Sequence, residues 1–578
     1  MSDNKIIVGI DLGTTTSEAC VYSNNKYQHI KSGQGNQVVP SVVGWDKDGQ
    51  QFVAGEMAHN RAKASPADYV YFVKRYMGTD KIFKLGDKEM SAPEVSAEML
   101  KYIKKYCEEH YDEEILHAVV TVPANFNNNQ RQDTKRAAEL AGFTVERIIA
   151  EPTAAALAYC MENSKEDDFV KVMVYDLGGG TFDVTIGEFH KGVLDIKGTS
   201  GDNKLGGKDF DELLSEVFFD KLVEQHGVDL RNDDLAYHSV MRECENLKKD
   251  LSYQNTSSIN IPFLAAKDGK PIGLSENYNR AEFDQLISPL IERTSVAITS
   301  ALKSAKYQTD EIDLILLVGG STRIPLVKNT VEQIMKKKPK TDIDPDLAVS
   351  LGAAMQAAII GGESDGVIMD VVPHSFGTSA AQEYNGQIIP GFYSEIIEAN
   401  SPMLKSYTQS YFTITDNQDE VDFEVFQKPA LVDSIWANDM DYLGEQKIDG
   451  IPNNLAGKEA IDASFTYNLN GIIEVSILIK STGKSHSFEI DSTNSQKSMP
   501  TALPQGPIPE KKINWEDSDL ADQFSSTIEL VRRKLEKVEN SALENKLDAL
   551  LKAISENEKS NAEELDDELN DILFEMDE

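Results

Sequence analysis

The sequence is short of cysteine, long apolar runs and positive charge, and each shortage removes a class of function. Its four cysteines, Cys20, Cys107, Cys160 and Cys244, are scattered. With no C-x-x-C pair and no dense framework, neither a zinc site nor a disulfide scaffold is expected. No stretch approaches the roughly 20 apolar residues that a membrane-spanning helix needs. The opening segment, MSDNKIIVGIDLG, lacks the apolar core of a secretory signal. Together these features predict a reducing, cytoplasmic setting. Lys and Arg number 57 against 96 Asp and Glu, a net charge of −39. Phosphate backbones and anionic lipid surfaces are gripped mainly by Lys and Arg, so neither nucleic acid nor membrane is an expected partner. The acidic excess itself favours solubility through self-repulsion. At 578 residues the chain is too long for one core.

What the sequence does hold is a pair of matching turns. VYDLGGGTFDVTI, residues 174–186, places three glycines between two β-branched runs. Glycine inside an element costs about 0.5–1 kcal/mol relative to alanine, so three in a row need a reason. A second copy of the pattern stands in IIVGIDLGTTTSEACVY, residues 6–22. Asp11-Leu12-Gly13-Thr14-Thr15-Thr16 aligns with Asp176-Leu177-Gly178-Gly179-Gly180-Thr181. Each reads as a hairpin with a small-residue turn and an aspartate at its lip. Without a Cβ, backbone N–H groups can turn inward and cradle an anion. Aspartate repels phosphate but suits a hydrated Mg²⁺ or a monovalent cation beside it. Two such turns in one chain predict duplicated lobes that close on one nucleotide triphosphate.

Between the turns, residues 118–159 read as a strand, a turn at Pro123 and a helix from about Asn128 to Ala141 with Gly142 as its cap. A strand at VERII follows, then a helix with Pro152 in its first turn. This alternation argues for an α/β fold. Glu151, just before that helix, is on local grounds either a functional acid or a partner of the helix dipole. MRECENLKKDLS, residues 241–252, is helical and sets Glu245, Lys248 and Ser252 on one face. Read alone, the first two are an exposed i, i+3 pair. LILLVGGSTRIPLV, residues 314–327, runs a buried strand into Gly319-Gly320-Ser321-Thr322-Arg323 and then a helix, a third backbone loop suited to ribose or phosphate. Arg323 either stacks on a purine or lies on the surface.

DLGTTTS, VTVPANFN, EPTAAALAY, DLGGGTFDV and GGSTRIP, in this order, resemble the DnaK-type heat-shock-70 chaperones, densely so from about residue 5 to 360. The resemblance implies an α/β actin-like, two-lobed ATPase domain over residues 1–363 with ATP or ADP in its cleft. It implies phosphate contacts from Gly13, Thr14, Thr15, Thr16, Gly179, Gly180 and Thr181, and Mg²⁺ and K⁺ held by Asp11 and Asp176 largely through water. Lys74, which alone would read as a surface lysine, becomes a γ-phosphate contact that places the attacking water. Glu151 orders water and metal, and Thr181 and Asp183 shape in-line attack, with Asp176 also counted among the catalytic groups. Glu245, Lys248, Lys249 and Ser252 hold adenosine with Gly320, Ser321, Thr322 and Arg323, and Asp346 completes that pocket. Pro123 and Arg131 sit on a hinge that reports nucleotide state. The stretch from Lys74 to Glu151 is shorter than in many members and resembles Gram-positive bacterial relatives.

Beyond a polar break, VIMDVV, residues 367–372, is an apolar run within an interdomain linker, 364–372. In the family the matching run is Leu-rich and docks on the ATPase lobes. Residues 373–499 alternate apolar and polar positions, with turns at Asn470-Gly471 and Gly483-Lys484, and read as all-β. They resemble the family's β-sandwich for extended peptides, although DVVPHSFGTSA departs from the usual DVTPLSLGIET. Ile389, Ile414 and Val421 map onto the peptide cleft or are plain sandwich core. A Pro-rich linker, 500–514, precedes a small α-helical lid, 515–578. Its apolar stripes are Leu520, Phe524, Ile528, Val531, Leu535 and Val538; Leu543, Leu547, Leu550 and Ile554; and Leu565, Leu569, Ile572 and Leu573. The usual first lid helix is missing, which predicts fast peptide release. The acidic end is a partner contact or a solvated helix face.

The resemblance thus implies an ATP-dependent chaperone for unfolded polypeptides, served by a J-domain partner and a GrpE-type exchange factor. Ala150 and Val372 stand where the family usually has Asn and Thr, which points to a specialised partner. Two other readings stand beside it: a small-molecule kinase on the same lobes, and a reactivating or assembly factor dedicated to one client.

Overall fold

The computed structural model describes residues 5–23, 26–163, 167–340, 344–384, 387–429, 432, 434–490, 520–535, 541–555, 559, 562, 565, 566, 568, 569 and 572. The chain divides into two compact units, residues 1–383 with 388–503, and residues 384–387 with 504–578.

The larger unit begins with two sheets built on one plan. In the first, Ile7–Leu12 runs antiparallel to Thr16–Ser23 and parallel to His117–Val122, with Thr144–Ala150 beyond. In the second, Phe169–Leu177 runs antiparallel to Phe182–His190 and parallel to Leu314–Val318. Ile7–Leu12 and, at one end of its sheet, Leu314–Val318 are buried over most of their length, as IVGIDL and LILLV require: continuous apolar runs have no face to give to water. Each matching turn therefore joins an antiparallel pair at the heart of a sheet.

Helices cover both sheets. Ala92–Tyr111 and Asn128–Leu140 share a core with the first, while Gly207–His226, Asp234–Tyr253 and Arg280–Ala305 share one with the second. The helix after Pro123 ends at Leu140, and Gly142, with φ +87°, supplies the left-handed residue that turns the chain. Glu151–Asn163 packs on Ala348–Ile360 through alanines, in a core that also takes in both sheets. The approach is so close that a Cβ on Gly352 would lie 1.8 Å from the Ala154 carbonyl oxygen.

The strand-rich region forms two four-stranded sheets. One has the order Gln387–Ile397, Ser375–Tyr384, Glu420–Lys428, Asp441–Asp449. The other has the order Ser406–Phe412, Ala460–Tyr467, Ile473–Ile479, Lys484–Glu489. Alternate side chains of the two, among them Phe376, Val425, Leu443, Phe465 and Ile477, fill a single core, with Val372 buried at its edge. The apolar run read as a linker is not free chain. Val367–Met369 adds a parallel strand beside Val193–Asp202, burying Ile368 and leaving Val367 and Met369 exposed. The strand-rich region is also tied to the first sheet's helices and strands. Asn128 N–H donates to Gln427 Oε1 at 3.2 Å and Ile148 N–H to Asn470 Oδ1 at 3.2 Å.

In the smaller unit, Ala521–Leu535 and Ser541–Ser555 join through Phe524, Ile528 and Val531 against Leu543, Leu547, Leu550 and Ile554, with Leu569 buried among them. Leu520, Leu535, Leu565 and Ile572 pack at the margin of this core. Val538, Leu573, residues 500–514 and most of the acidic end lie outside the described residues. Among the described residues no helix is long and apolar enough to cross a membrane. All four cysteines are buried and free.

Candidate functional site

A cavity of about 780 Å³ opens where the two glycine turns face each other. Gly13, Thr14, Thr15 and Thr16 line it from one turn, and Gly179 and Thr181 from the other. The turns nearly touch: a Cβ on Gly179 would sit 2.3 Å from the Thr15 methyl group. That contact explains the glycine at this point, since a side chain would fill the gap between the turns. Asp11, Asp176 and Glu151 stand at the same cavity, and Glu245, Lys248, Lys249, Ser252, Gly320, Ser321, Arg323 and Asp346 line its other end.

Four predicted residues do not line it. Lys74 is buried behind Glu151 and ion-paired with it, so the surface position its local sequence implied is corrected. Gly180 turns its carbonyl to Arg75, which donates from Nη2 at 2.9 Å and also holds Asp209, at 3.1 Å from Nη1. Thr322 is buried and donates its hydroxyl to the Gly319 carbonyl at 2.7 Å, which shapes the third loop. Asp183 is buried and held by three donors: Asn125 Nδ2 at 2.6 Å, Ala124 N–H at 3.0 Å and Asn125 N–H at 3.2 Å.

The adenosine-side residues differ from the exposed-pair reading. Glu245 pairs with Lys249 at 2.7 Å, while Lys248 is buried and binds Asp211 at 2.6 Å and the Gly207 carbonyl at 2.9 Å. Lys248 thus ties two helices together at the cavity wall. Arg323 is held over the opening by Asp346 at 2.7 Å and Asp344 at 3.0 Å.

The floor is rich in buried acid. Burial and the neighbouring Glu151 push Asp11 up to about 7, against the opposing Lys74 charge and a 2.6 Å hydrogen bond from the Thr121 hydroxyl. Burial, then Glu151, Asp183 and Asp11, push Asp176 well above the ordinary carboxylate range. Burial also raises Glu151 and Asp183, with Lys74 opposing both. Desolvation and like charge disfavour ionisation here, and added positive charge would restore it. The donors are hard oxygens, which fits Mg²⁺. Among the described residues no three His, Cys, Asp or Glu side chains gather closely enough to ligate an ion directly. Asp11 and Asp176 both line the cavity, where their carboxylates suit such a cation.

The cavity has further walls that the sequence alone did not flag. His59, Tyr71, Phe72, Arg242 and Tyr253 line it. Phe72 carries φ +57°, a left-handed conformation unusual for an aromatic residue, next to buried Lys74. For Tyr71 and Phe72 the available signal was the aromatic run YVYF, residues 69–72, two positions before Lys74. Arg131 donates to the Ala124 carbonyl at 2.9 Å and the Phe126 carbonyl at 3.2 Å, bracing the turn after Pro123. Ala150 is buried at the end of its strand, beside Glu151. The three expected cleft residues sit on separate elements. Ile389 is half-buried on Gln387–Ile397, Ile414 is exposed after Ser406–Phe412, and Val421 packs on the shared core.

The family model for Hsp70 protein matches residues 7–84 and 81–578 of this chain. The chain therefore belongs to the Hsp70 family. Proteins of this family are ATP-dependent chaperones and ATPases that bind ATP or ADP with Mg²⁺ and act on unfolded polypeptides.

Proposed function

We propose that this chain is a DnaK-type, cytoplasmic chaperone in which ATP hydrolysis between two lobes governs the grip of a β-sandwich on extended peptide. One observation carries the reading: both glycine turns line a single cavity together with Asp11, Asp176 and Glu151, and Lys74 is paired with Glu151 behind it.

The turns present backbone N–H groups and threonine hydroxyls to the phosphates. Asp11 and Asp176 would hold Mg²⁺ through water beside the phosphates, with K⁺ a second candidate there, and the cation would supply positive charge against the phosphate oxygens. Lys74 and Glu151 fix the attacking water near the γ-phosphate, and Thr181 and Asp183 orient it for in-line displacement. Glu245, Lys249, Ser252 and Arg323 enclose adenosine, while Lys248 braces that wall through Asp211. The strand Val367–Met369 and the contacts of Asn128 and Ile148 carry nucleotide state to the strand-rich region, where Ile389, Ile414 and Val421 grip peptide. Coupling between such sites is typically ~1–3 kcal/mol and reciprocal. A J-domain partner stimulates hydrolysis, and a GrpE-type factor releases ADP.

Anisotropy of a labelled unfolded peptide, titrated with ATP and then with ADP, tests the reading. Tighter binding with ADP supports it. Binding of one folded client and no generic peptide marks a dedicated factor, and no peptide binding at all marks a small-molecule kinase.

A further inference from the structure

One buried side chain of the strand-rich region reaches the turn beside the candidate catalytic centre. His374 lies just before the strand Ser375–Tyr384 and is buried against the turn that follows Pro123. Its Nε2 is 2.9 Å from the backbone carbonyl oxygen of Asn125. A carbonyl can only accept, so the ring nitrogen carries the proton. Asn203 Nδ2 donates to the same oxygen at 2.7 Å. The other end of Asn125 faces the cavity floor: its side-chain amide and its backbone N–H both donate to Asp183 Oδ1, at 2.6 and 3.2 Å. Ala124 N–H completes the grip on Asp183 Oδ2 at 3.0 Å. His374 and Asp183 are therefore joined through the single residue Asn125. The remaining side of the turn is braced by Arg131, which bonds the carbonyls of Ala124 and Phe126 and leaves that of Asn125 to His374 and Asn203.

We propose that His374 is a positioning residue for ATP hydrolysis, holding Asn125 so that its amide and N–H fix the Asp183 carboxylate. It reports to the ATPase centre whether the strand-rich region is seated against this turn. The inference rests on the role given to Asp183 above. Removing the ring N–H leaves Asn203 as the other donor to the Asn125 carbonyl and frees the turn that supplies all three donors to Asp183. The adenosine wall is held by its own pairs, Glu245 with Lys249 and Arg323 with Asp346, so nucleotide affinity is spared.

The test compares His374→Leu, His374→Gln and wild type in the full-length chain, each also combined with Asp183→Asn. Single-turnover ATP hydrolysis and calorimetric ATP affinity are measured, and thermal melts check folding. His374→Leu lowers the hydrolysis rate about fivefold, the worth of one ordinary hydrogen bond. Its ATP affinity stays within about twofold of wild type, the pattern of a lost transition-state contact. His374→Gln, which keeps an N–H donor, restores the rate. On Asp183→Asn the leucine substitution causes no further loss, because coupled residues are non-additive. Should leucine not be tolerated, His374→Ala against His374→Gln carries the same comparison. An unchanged rate for His374→Leu, an equal loss in both backgrounds, or a glutamine variant as slow as leucine overturns the inference. A slow Asp183→Asn enzyme with a normal His374→Leu enzyme refutes only the role of His374. An Asp183→Asn enzyme at wild-type rate refutes the reading of the site beneath it.

Discussion

Replacing Lys74 with alanine removes the ammonium that partners Glu151 beneath the cavity. Two effects follow, and they separate experimentally. The first is on stability. Breaking a buried ion pair by deleting one partner costs roughly 3–5 kcal/mol when the other charge remains. Glu151 has a way out, because burial already raises its carboxyl group, and loss of Lys74 raises it further. A group whose folded pKa lies above its unfolded value gives stability at low pH that is lost as pH rises. The destabilisation of Lys74→Ala is therefore smallest near pH 5 and grows toward pH 8. The double variant Lys74→Ala, Glu151→Gln removes the stranded charge and recovers most of the loss. The second effect is on chemistry. In the role proposed for it, Lys74 acts with Glu151 to hold the attacking water, and losing such a preorganised charge costs on the order of 10²–10³ in rate. ATP affinity changes little, because the turns and the adenosine wall are untouched. Single-turnover hydrolysis, calorimetry and thermal melts at several pH values read these effects in one preparation. Turnover within about threefold of wild type, against the expected loss of two orders or more, refutes the role given to Lys74. A destabilisation that shrinks as pH rises refutes the electrostatic account of the pair.

Four further outcomes are expected. Thr181→Ala slows single-turnover hydrolysis while sparing ATP affinity; a selective loss of affinity by calorimetry would make Thr181 only a binder. Burial pushes His374 down to about 4, so its neutral form stabilises the fold above the unfolded value near 6.5, and that contribution is lost as pH falls between the two. Relative to His374→Leu, wild type should lose roughly 3 kcal/mol from pH 7 to 4 in paired denaturation curves; parallel curves contradict this. Gly352→Ala forces a Cβ to 1.8 Å from the Ala154 carbonyl oxygen, so the helices must part, with a cost of about 1–3 kcal/mol or more seen as a lower melting temperature. On the reading of residues 515–578 as a shortened lid, labelled peptide should leave the ADP form faster than it leaves full-lid relatives, and an equally slow stopped-flow off-rate would contradict that reading.

The parts of the fold that were legible in the sequence are those written in local chemistry. The glycine turns announced themselves by small residues between β-branched runs, and the stripe Leu543, Leu547, Leu550, Ile554 by helical spacing. What stayed hidden depends on partners distant in the chain. Nothing near Lys74 says that it is buried, since its partner Glu151 lies on another element, and Lys248 looked exposed because Asp211 sits on a different helix. The Val367–Met369 strand is too short to show a period and exists through its pairing with Val193–Asp202. His374 read only as a departure from a motif, and its meaning depends on Asn125, a polar residue in a turn with no local signal of its own.

The most direct test of the account is calorimetric titration of Mg²⁺–ADP into the purified full-length chain and into Gly179→Val, whose side chain would fill the gap beside Thr15. The account predicts one nucleotide bound per wild-type chain and none by the variant, with the variant's melting curve still cooperative. Absence of uptake by wild type, or equal uptake by both, would contradict the claim that the two facing turns hold a single nucleotide.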